Sequence, residues 1–453
     1  MSFCETEILM GDKMETSDNG YDMPMEVLIE ILIHLPVNSL IRFTIVCKSW
    51  LNLIRDDPQF ALRHYLTRTR PSSSYTLMDN VDYIVDYFGK YGRSCNATTD
   101  EILRLCIYTL TVKKTFRLVK KIEYGPRLNV SMSNFCNGIM CAYVTSNRGA
   151  RVLICNPAIG EVLLLPLPHN FATRGTPKLG LGFDSVNNNY KIVAAHPPSV
   201  FAGRDFWQVD VYSVRDGCWH NLNALGSLVQ FSSLTSESTL NANGRILNWL
   251  GYLKYSTKPL EGLLSFDIVD EVFQEVTMPE CLYPNSWRQH HILTSSGCQA
   301  CLCCSSFPSS SLAKDEHFNG IDIWVLNRDN DDDEKMLWHK HFSFTFSDDA
   351  PVWPVNVWLN NHELLLHVRK QEGRTEEVYH YDHFTQQLTR TSRFGTLMNP
   401  DGYTESLISI KGLMPSSYHQ PAGDEDEKDY FCFVREVGRK NNAVHWSYSF
   451  KLV

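Results

Sequence analysis

The sequence predicts an α+β, multidomain protein in which a small N-terminal helical module, residues 22–67, precedes an all-β domain, residues 76–453, built as a propeller of six or seven blades. Three observations carry this expectation. Apolar residues recur at helical spacing between Asp22 and Thr67. Beyond residue 75 that period gives way to short apolar runs separated by turn residues. Within those runs a strand–turn–strand unit returns at a near-constant interval.

In chain order, residues 1–21 are polar, acidic and aperiodic, which reads as a loose tail. In the helical module Leu28, Ile31, Leu32 and Leu35 fall at i, i+3, i+4 and i+7, one face of a helix entered through Asp22 and Pro24 and ended by Pro36. A second period, Val46, Trp50, Leu53 and Ile54, is stopped by Asp56-Asp57-Pro58, and Phe60, Leu62, Tyr65 and Leu66 begin a third, short helix. So short a module has a thin core. Its apolar side chains extend past one face, with Ile29 and Ile33 beside Leu28 and Ile31. That excess predicts a second apolar surface for another protein, although a cap packed on the chain's own downstream domain satisfies the same periodicity.

Residues 68–75 read as a linker. The repeating β units then start at Leu103, Val152, Val209, Leu263, Ile321, Glu377 and Tyr430, with spacings of 49, 57, 54, 58, 56 and 53 residues. Further strand pairs lie between them, as in the stretches from Leu179 and from Val355, so each period holds about four strands, the signature of a propeller blade. An irregular β-sandwich is the competing arrangement. A propeller removes exposed sheet edges by closing its ring and gathers variable loops on two ends.

Of 453 residues 43% are apolar, enough for a large core, and the formal charge is −9. Five units of that charge lie in residues 1–66, and two acidic runs, Asp329 with Asp331 to Glu334 and Asp424 to Asp429, supply most of the remaining local excess. No basic footprint for nucleic acid is present, and no apolar stretch long enough for a membrane or a signal peptide. The expected location is cytoplasmic or nuclear, where the 14 cysteines are thiols.

Several strings resemble known families. Met23-Pro24, Ile31-Leu32, Leu35-Pro36 and Val46-Cys47-Lys48-Ser49-Trp50 look like the F-box, the adaptor-binding module of Skp–cullin–F-box ubiquitin ligases, with Met23 where the family commonly has Leu. The resemblance implies that Pro24, Leu28, Ile31, Leu32, Leu35, Pro36, Leu40, Val46, Cys47 and Trp50 take the family's adaptor-facing and core positions. Downstream, Cys136-Asn137-Gly138, Cys155-Asn156-Pro157, Gly180 to Asp184, Tyr190-Lys191, Val211 to Ser213, Asn243-Gly244, Phe266-Asp267 and Ile323 to Val325 resemble the F-box-associated domain of plant F-box proteins. One departure is Asn248, where that family often has His. The implied function is a substrate-recognition subunit that contacts a Skp-type adaptor, through it a cullin and a RING protein, and a protein target through the β-domain. The general layout further resembles the S-locus F-box group of pollen, which would make the target a secreted-type ribonuclease, a class often basic.

No catalytic residue and no cofactor is expected. Gly180-x-Gly182 lacks the third glycine and the helix of a nucleotide loop, and neither G-x-S-x-G nor H-E-x-x-H occurs. Cys298, Cys301, Cys303 and Cys304 near His290 and His291 do not form two separated ligand pairs, and His339-x-His341 lies opposite an aromatic face, so no metal is expected at either place. Most tryptophans suit packing between blades. Trp287 and Trp353, flanked by prolines and placed on loops, are the candidates for target contact, together with the acidic Asp331, Asp332 and Asp333. The rival classes are an enzyme or small-ligand binder with its site in the propeller mouth and a scaffold that never joins a cullin.

Overall fold

The structure is a computed structural model. It describes residues 24–68, 76–80, 103–110, 116–124, 129–146, 149–167, 171, 176–198, 207–222, 230–235, 238–241, 244–254, 261–276, 278–279, 288–293, 300–306, 319–328, 336–346, 352–360, 363–369, 376–394, 402–418, 431–434 and 449–450. The tail at residues 1–21 and most of the linker expected at 68–75 lie outside the described residues.

The module holds four α-helices, α1 (Met25–Leu32), α2 (Val37–Phe43), α3 (Lys48–Leu51) and α4 (Pro58–Arg68), with a π-helical turn, Asn52–Asp56, continuing α3. Two of the sequence expectations need correction. The first helix ends at Leu32, before Pro36, because the Leu35 N–H bonds back to the Leu32 carbonyl at 3.0 Å and Pro36 then caps the N-terminus of α2. That α2 is too short to show a period of its own. Val46 precedes α3 and stands exposed, so only Trp50, Leu53 and Ile54 of the second period pack inward. Asp57 marks a start as well as a stop: its carboxylate accepts the N–H groups of Gln59 and Phe60 at 2.8 and 3.2 Å, with Pro58 at the first helical position. The module's core is Leu32, Ile33, Val37, Leu40, Ile54, Phe60 and Ala61.

The strands of the β-domain form six antiparallel sheets among the described residues. One joins β1 (Thr76–Asn80), β2 (Leu103–Leu110) and β3 (Phe116–Tyr124) to three strands from the far end of the sequence, described below. The next two are β4 (Asn129–Met132), β5 (Met140–Ser146), β6 (Gly149–Asn156), β7 (Glu161–Leu165), and β8 (Lys178–Asp184), β9 (Asn189–His196), β10 (Gln208–Ser213), β11 (Cys218–Asn221). The fourth has β12 (Phe231–Leu234), β13 (Thr239–Leu240), β14 (Ile246–Leu253), β15 (Glu261–Asp267) and β16 (Val272–Val276), with both β12 and β13 on β14. The fifth is β17 (Arg288–Leu293), β18 (Ala300–Ser306), β19 (Asn319–Arg328), β20 (Met336–Phe346) and the sixth β21 (Val352–Asn360), β22 (Glu363–Arg369), β23 (Glu376–Asp382), β24 (Gln387–Phe394). Finally β25 (Gly402–Tyr403) pairs with β1, β26 (Phe431–Val434) with β3, and β27 (Ser449–Phe450) with β26, which closes the first sheet with strands from both ends of the domain.

All seven repeating units read from the sequence are hairpins. Five are the third and fourth strands of their sheets, while the first (β2–β3) and the last (β26–β27) share the closing sheet, so that seven units give six sheets. The propeller architecture also fixes two ends. In each four-stranded up-and-down sheet the first–second and third–fourth turns lie at one end, called here the near end, and the second–third turns and sheet-to-sheet connections at the other, the far end.

Near-end turns interlock. The Asn134 side chain acts as a peptide bridge, donating to the Leu181 carbonyl at 2.7 Å and accepting the Leu181 N–H at 2.9 Å. A Cβ added at Gly180 would meet Trp249 and one at Gly182 would meet Ile268, each at under 3 Å, so the Gly180-x-Gly182 string serves close approach of sheets. A strap, residues 404–418, crosses the same end. The Asn156 amide donates to the carbonyls of Ser406 and Ile408 at 3.0 and 2.8 Å, Glu161 accepts the Ile410 N–H at 2.7 Å, and Leu407, Ile408 and Ile410 are buried beneath it.

Candidate functional site

The module's surface sorts the expected adaptor-binding residues. Leu32 and Leu40 are buried, Leu28, Leu35 and Trp50 are half-buried against the core, and Pro24, Ile31, Pro36, Val46 and Cys47 are exposed. Ile31 therefore leaves the face on which the spacing puts it, and Ile33 takes its place inside, because the apolar stripe of α1 is wider than one face and packing against α2 and α4 sets its phase. The large apolar side chains that the module leaves exposed are Met25, Val27, Ile31 at 47%, Ile45 at 88%, Val46 at 59% and Leu66, and the first five are called here the outer patch. Ile45 was not singled out by periodicity, since it falls between two helices; the signal was its apolar, β-branched character in a break. Trp50 is held edge-to-face on Phe43 with ring centroids 5.4 Å apart. Cys47 Sγ lies 3.0 Å from Ser49 Oγ, and that hydrogen bond, helped by the backbone of Trp50, holds the thiol below its ordinary range.

Between α1 and α4 runs a half-open groove of about 440 Å³ lined by Glu30, Ile33, His34, Gln59, Leu62, Arg63, Leu66 and Thr67, with an Arg63–Glu30 ion pair across it. Behind the patch, His64 is buried. Its Nε2 donates to the Leu35 carbonyl at 2.8 Å, its Nδ1 has no hydrogen-bond partner among the described residues, and burial holds its pKa below the ordinary value.

The candidate target residues do not gather in one place. Trp353 is not on a loop: it lies in β21, opposite His367, and Pro354 follows it opposite Leu366. A proline is tolerated there because β21 is the edge strand of its sheet. Trp287 lies outside the described residues, but Arg288 after it begins β17, so both Arg288 and Trp353 stand at far-end strand starts. Asp331, Asp332 and Asp333 also lie outside the described residues, and the strand ends flanking them, Arg328 of β19 and Met336 of β20, belong to a third–fourth connection at the near end.

A buried charge cluster at the near end was missed. Lys191 Nζ is 3.1 Å from Asp184 Oδ2 and 2.9 Å from Glu271 Oε1, and donates to the Ile268 carbonyl at 2.9 Å. Burial opposes charge on all three, yet hydrogen bonding outweighs it: Lys191 is raised by Glu271 and Asp184, Asp184 is lowered by Asn187 and Lys191, and Glu271 is lowered by His220 and Lys191. The cluster ties the β8–β11 sheet to the β15–β16 hairpin. Asn248, where the family often has His, is buried and accepts from Ser265 Oγ at 2.6 Å. His339 and His341 are exposed, and Cys301 and Cys304 belong to different apolar clusters, on opposite faces of β18. Among the described residues no group of three or more His, Cys, Asp or Glu could hold a metal, and no helix is long and apolar enough to cross a membrane.

Comparison with known proteins places these parts. The F-box domain model matches residues 21–61 and the F-box associated beta propeller domain model matches residues 98–410. An F-box/kelch-repeat protein of Arabidopsis thaliana is 25% identical over 343 residues, covering 74% of this chain and 83% of that one. The F-box/WD-40 repeat-containing protein 1 of the same plant is 22% identical over 365 residues, covering 78% and 75%. Among solved structures the chain is similar to TolB from Acinetobacter baumannii, at a TM-score of 0.41 and 8% identity over 76% of this chain and 70% of that one. It is also similar to the beta-propeller domain of the Trilobed protease from Pyrococcus furiosus, at a TM-score of 0.34 and 10% identity over 58% and 71%. The family assignment rests on the two domain models: the chain belongs to the F-box proteins that carry an F-box associated beta propeller domain, a family of substrate-recognition proteins.

Proposed function

We propose that the chain is the non-catalytic substrate receptor of a Skp–cullin–F-box ubiquitin ligase, acting in the cytoplasm or nucleus. The observation that carries this reading is the outer patch of Met25, Val27, Ile31, Ile45 and Val46, apolar and exposed on a module whose own core is already closed. Several large apolar side chains left exposed on so small a module favour association with another protein. Held by the adaptor, the receptor brings a captured target beside a charged ubiquitin-conjugating enzyme, and a rare encounter becomes an intramolecular one at high effective concentration. The test is capture of a purified Skp-type adaptor by the full chain. Ile31→Asp and Val46→Asp put charges on the patch without touching the core, so each is expected to abolish capture while the melting temperature stays unchanged; capture at the wild-type level by both variants would overturn the assignment.

The target is proposed to dock at the far end, where Arg288 and Trp353 open their strands, because near-end turns are consumed by sheet-to-sheet bridges and the strap. A basic target, of the secreted-type ribonuclease class, agrees in sign with the acidic Asp331 to Asp333 run, whose part is steering and not contact.

A further inference from the structure

The groove between α1 and α4 is built by the module alone. Each side chain that lines its volume of about 440 Å³ comes from α1, the turn after it or α4, and none from the β-domain. Its floor is apolar: Ile33 is buried, Leu62 is half-buried and Leu66 stands 56% exposed. Its rim is polar, with His34, Gln59 and the Arg63–Glu30 ion pair across the opening. Both partners of that pair are about half exposed, which makes it a weak pair whose guanidinium an incoming carboxylate can share. An open leucine beside a guanidinium and an imidazole suits a short segment that carries apolar side chains and carboxylates together.

Such a segment lies in the same chain. Within residues 1–23 the only three large apolar residues in succession are Ile8-Leu9-Met10, with Glu5 and Glu7 just before them. Residues 1–23 carry six acids, Glu5, Glu7, Asp12, Glu15, Asp18 and Asp22, against Lys13 alone, whereas residues 24–68 carry five Lys or Arg against four acids. The two stretches are therefore of opposite sign. Reach is sufficient as well. Met10 stands 14 positions before Pro24, the N-cap of α1, and a flexible chain of that length spans about 20 Å, against about 12 Å for the whole of α1. Tethered so closely, the segment meets the groove at an effective concentration on the order of 1 mM, so that a contact too weak to form between separate molecules is populated within one.

We propose that residues 5–10 occupy the groove between α1 and α4 of their own module, Ile8 and Leu9 against Leu62 and Leu66 and the glutamates toward His34 and Arg63, and that this seat restrains adaptor capture. The restraint follows from the make-up of α1. Val27 and Ile31 of the outer patch have Glu30 and His34 of the groove as their i+3 neighbours, and the His34 N–H bonds back to the Ile31 carbonyl at 3.3 Å. A segment in the groove thus lies beside the patch, and segment and adaptor contend for one helix. The restraint rests on the ligase reading; the seat does not.

A photo-reactive non-natural amino acid at exposed Gln59 or at Thr67, rim positions near the two ends of α4, tests the seat in the full-length chain. Cross-links within one molecule are expected to map by mass spectrometry to the stretch around residues 5–10. Ile8→Asp with Leu9→Asp changes nothing in the module's core and is expected to remove them. The seat is overturned by the absence of such cross-links, by cross-links only to the β-domain or to a second copy, or by cross-links undiminished in the double variant. The double variant is also expected to capture a purified Skp-type adaptor about three- to tenfold more tightly than the wild-type chain, the factor by which an occupied groove lowers the competent fraction. Equal affinity overturns the restraint. If neither chain captures the adaptor, the ligase reading fails and the restraint with it, while the cross-links still decide the seat.

Discussion

His64 makes the F-box sensitive to acid. With Nε2–H donating to Leu35 and Nδ1 bare, the buried ring is stable only when neutral, and protonation would create a charged, unpartnered donor in an apolar core. Because its folded pKa lies below the ordinary 6.5, the unfolded state binds more protons near that pH, and the module's stability is full above 6.5 and lost as pH falls through it toward the depressed value. Hydrogen exchange of α1 and α4, corrected for intrinsic rates, is expected to report more frequent opening at about pH 5.5 than at about pH 7.5, and His64→Phe is expected to remove the difference. Equal opening at both values in the wild-type chain would overturn the linkage, and a difference that persists in His64→Phe would assign it to another group. Nothing in the spacing of His64 distinguishes it from a surface residue; its role depends on a carbonyl 29 residues earlier, freed by the turn that ends α1.

At the level of elements, hairpins were legible and the contacts between them were not. Alternating apolar residues bracketed by Asp, Asn, Gly or Pro located every outer hairpin, since strand period and turn chemistry are both local. The phase of α1 and the existence of α2 were hidden, because a stripe of Leu28, Ile29, Ile31, Leu32 and Ile33 is too wide to say which residue faces in. Lys191 was hidden for a different reason: within Tyr190-Lys191-Ile192-Val193 it looks like an outward-facing strand residue, and only the neighbouring hairpin supplies Glu271 and the Ile268 carbonyl. Lys191→Met would leave the buried Asp184 and the half-buried Glu271 without their shared cation, which is expected to cost about 3 kcal/mol of propeller stability in denaturant titrations. A loss below about 1 kcal/mol would mean the bridge behaves as an exposed pair. In the wild type, the depressed carboxylates contribute stability above their ordinary 3.8 and 4.5 that is lost as pH falls below them, and the raised lysine contributes stability lost as pH rises beyond 10.5.

For the whole molecule, the F-box and strap share the near end, and the second–third and sheet-to-sheet connections leave the strands at the far end. If the acidic run at Asp331 to Asp333 steers a basic target, the near-end position of the strand ends that flank it, Arg328 and Met336, favours attraction at a distance over contact. Replacing all three by Asn should then slow association with a basic ribonuclease at low salt and matter little at about 1 M salt, where the Debye length is about 3 Å. An association rate unaffected at low salt would dismiss the run as a bystander. The way the ring closes has a consequence for synthesis. Asn156 finds the carbonyls of Ser406 and Ile408 at separations of 250 and 252 residues, and β1 must wait for β25. Contacts so distant in the chain form slowly. On the ribosome the F-box, whose internal contacts are local, has emerged long before the closing sheet has its last strands, so a nascent chain can present an adaptor surface while its unclosed sheets still need protection from aggregation.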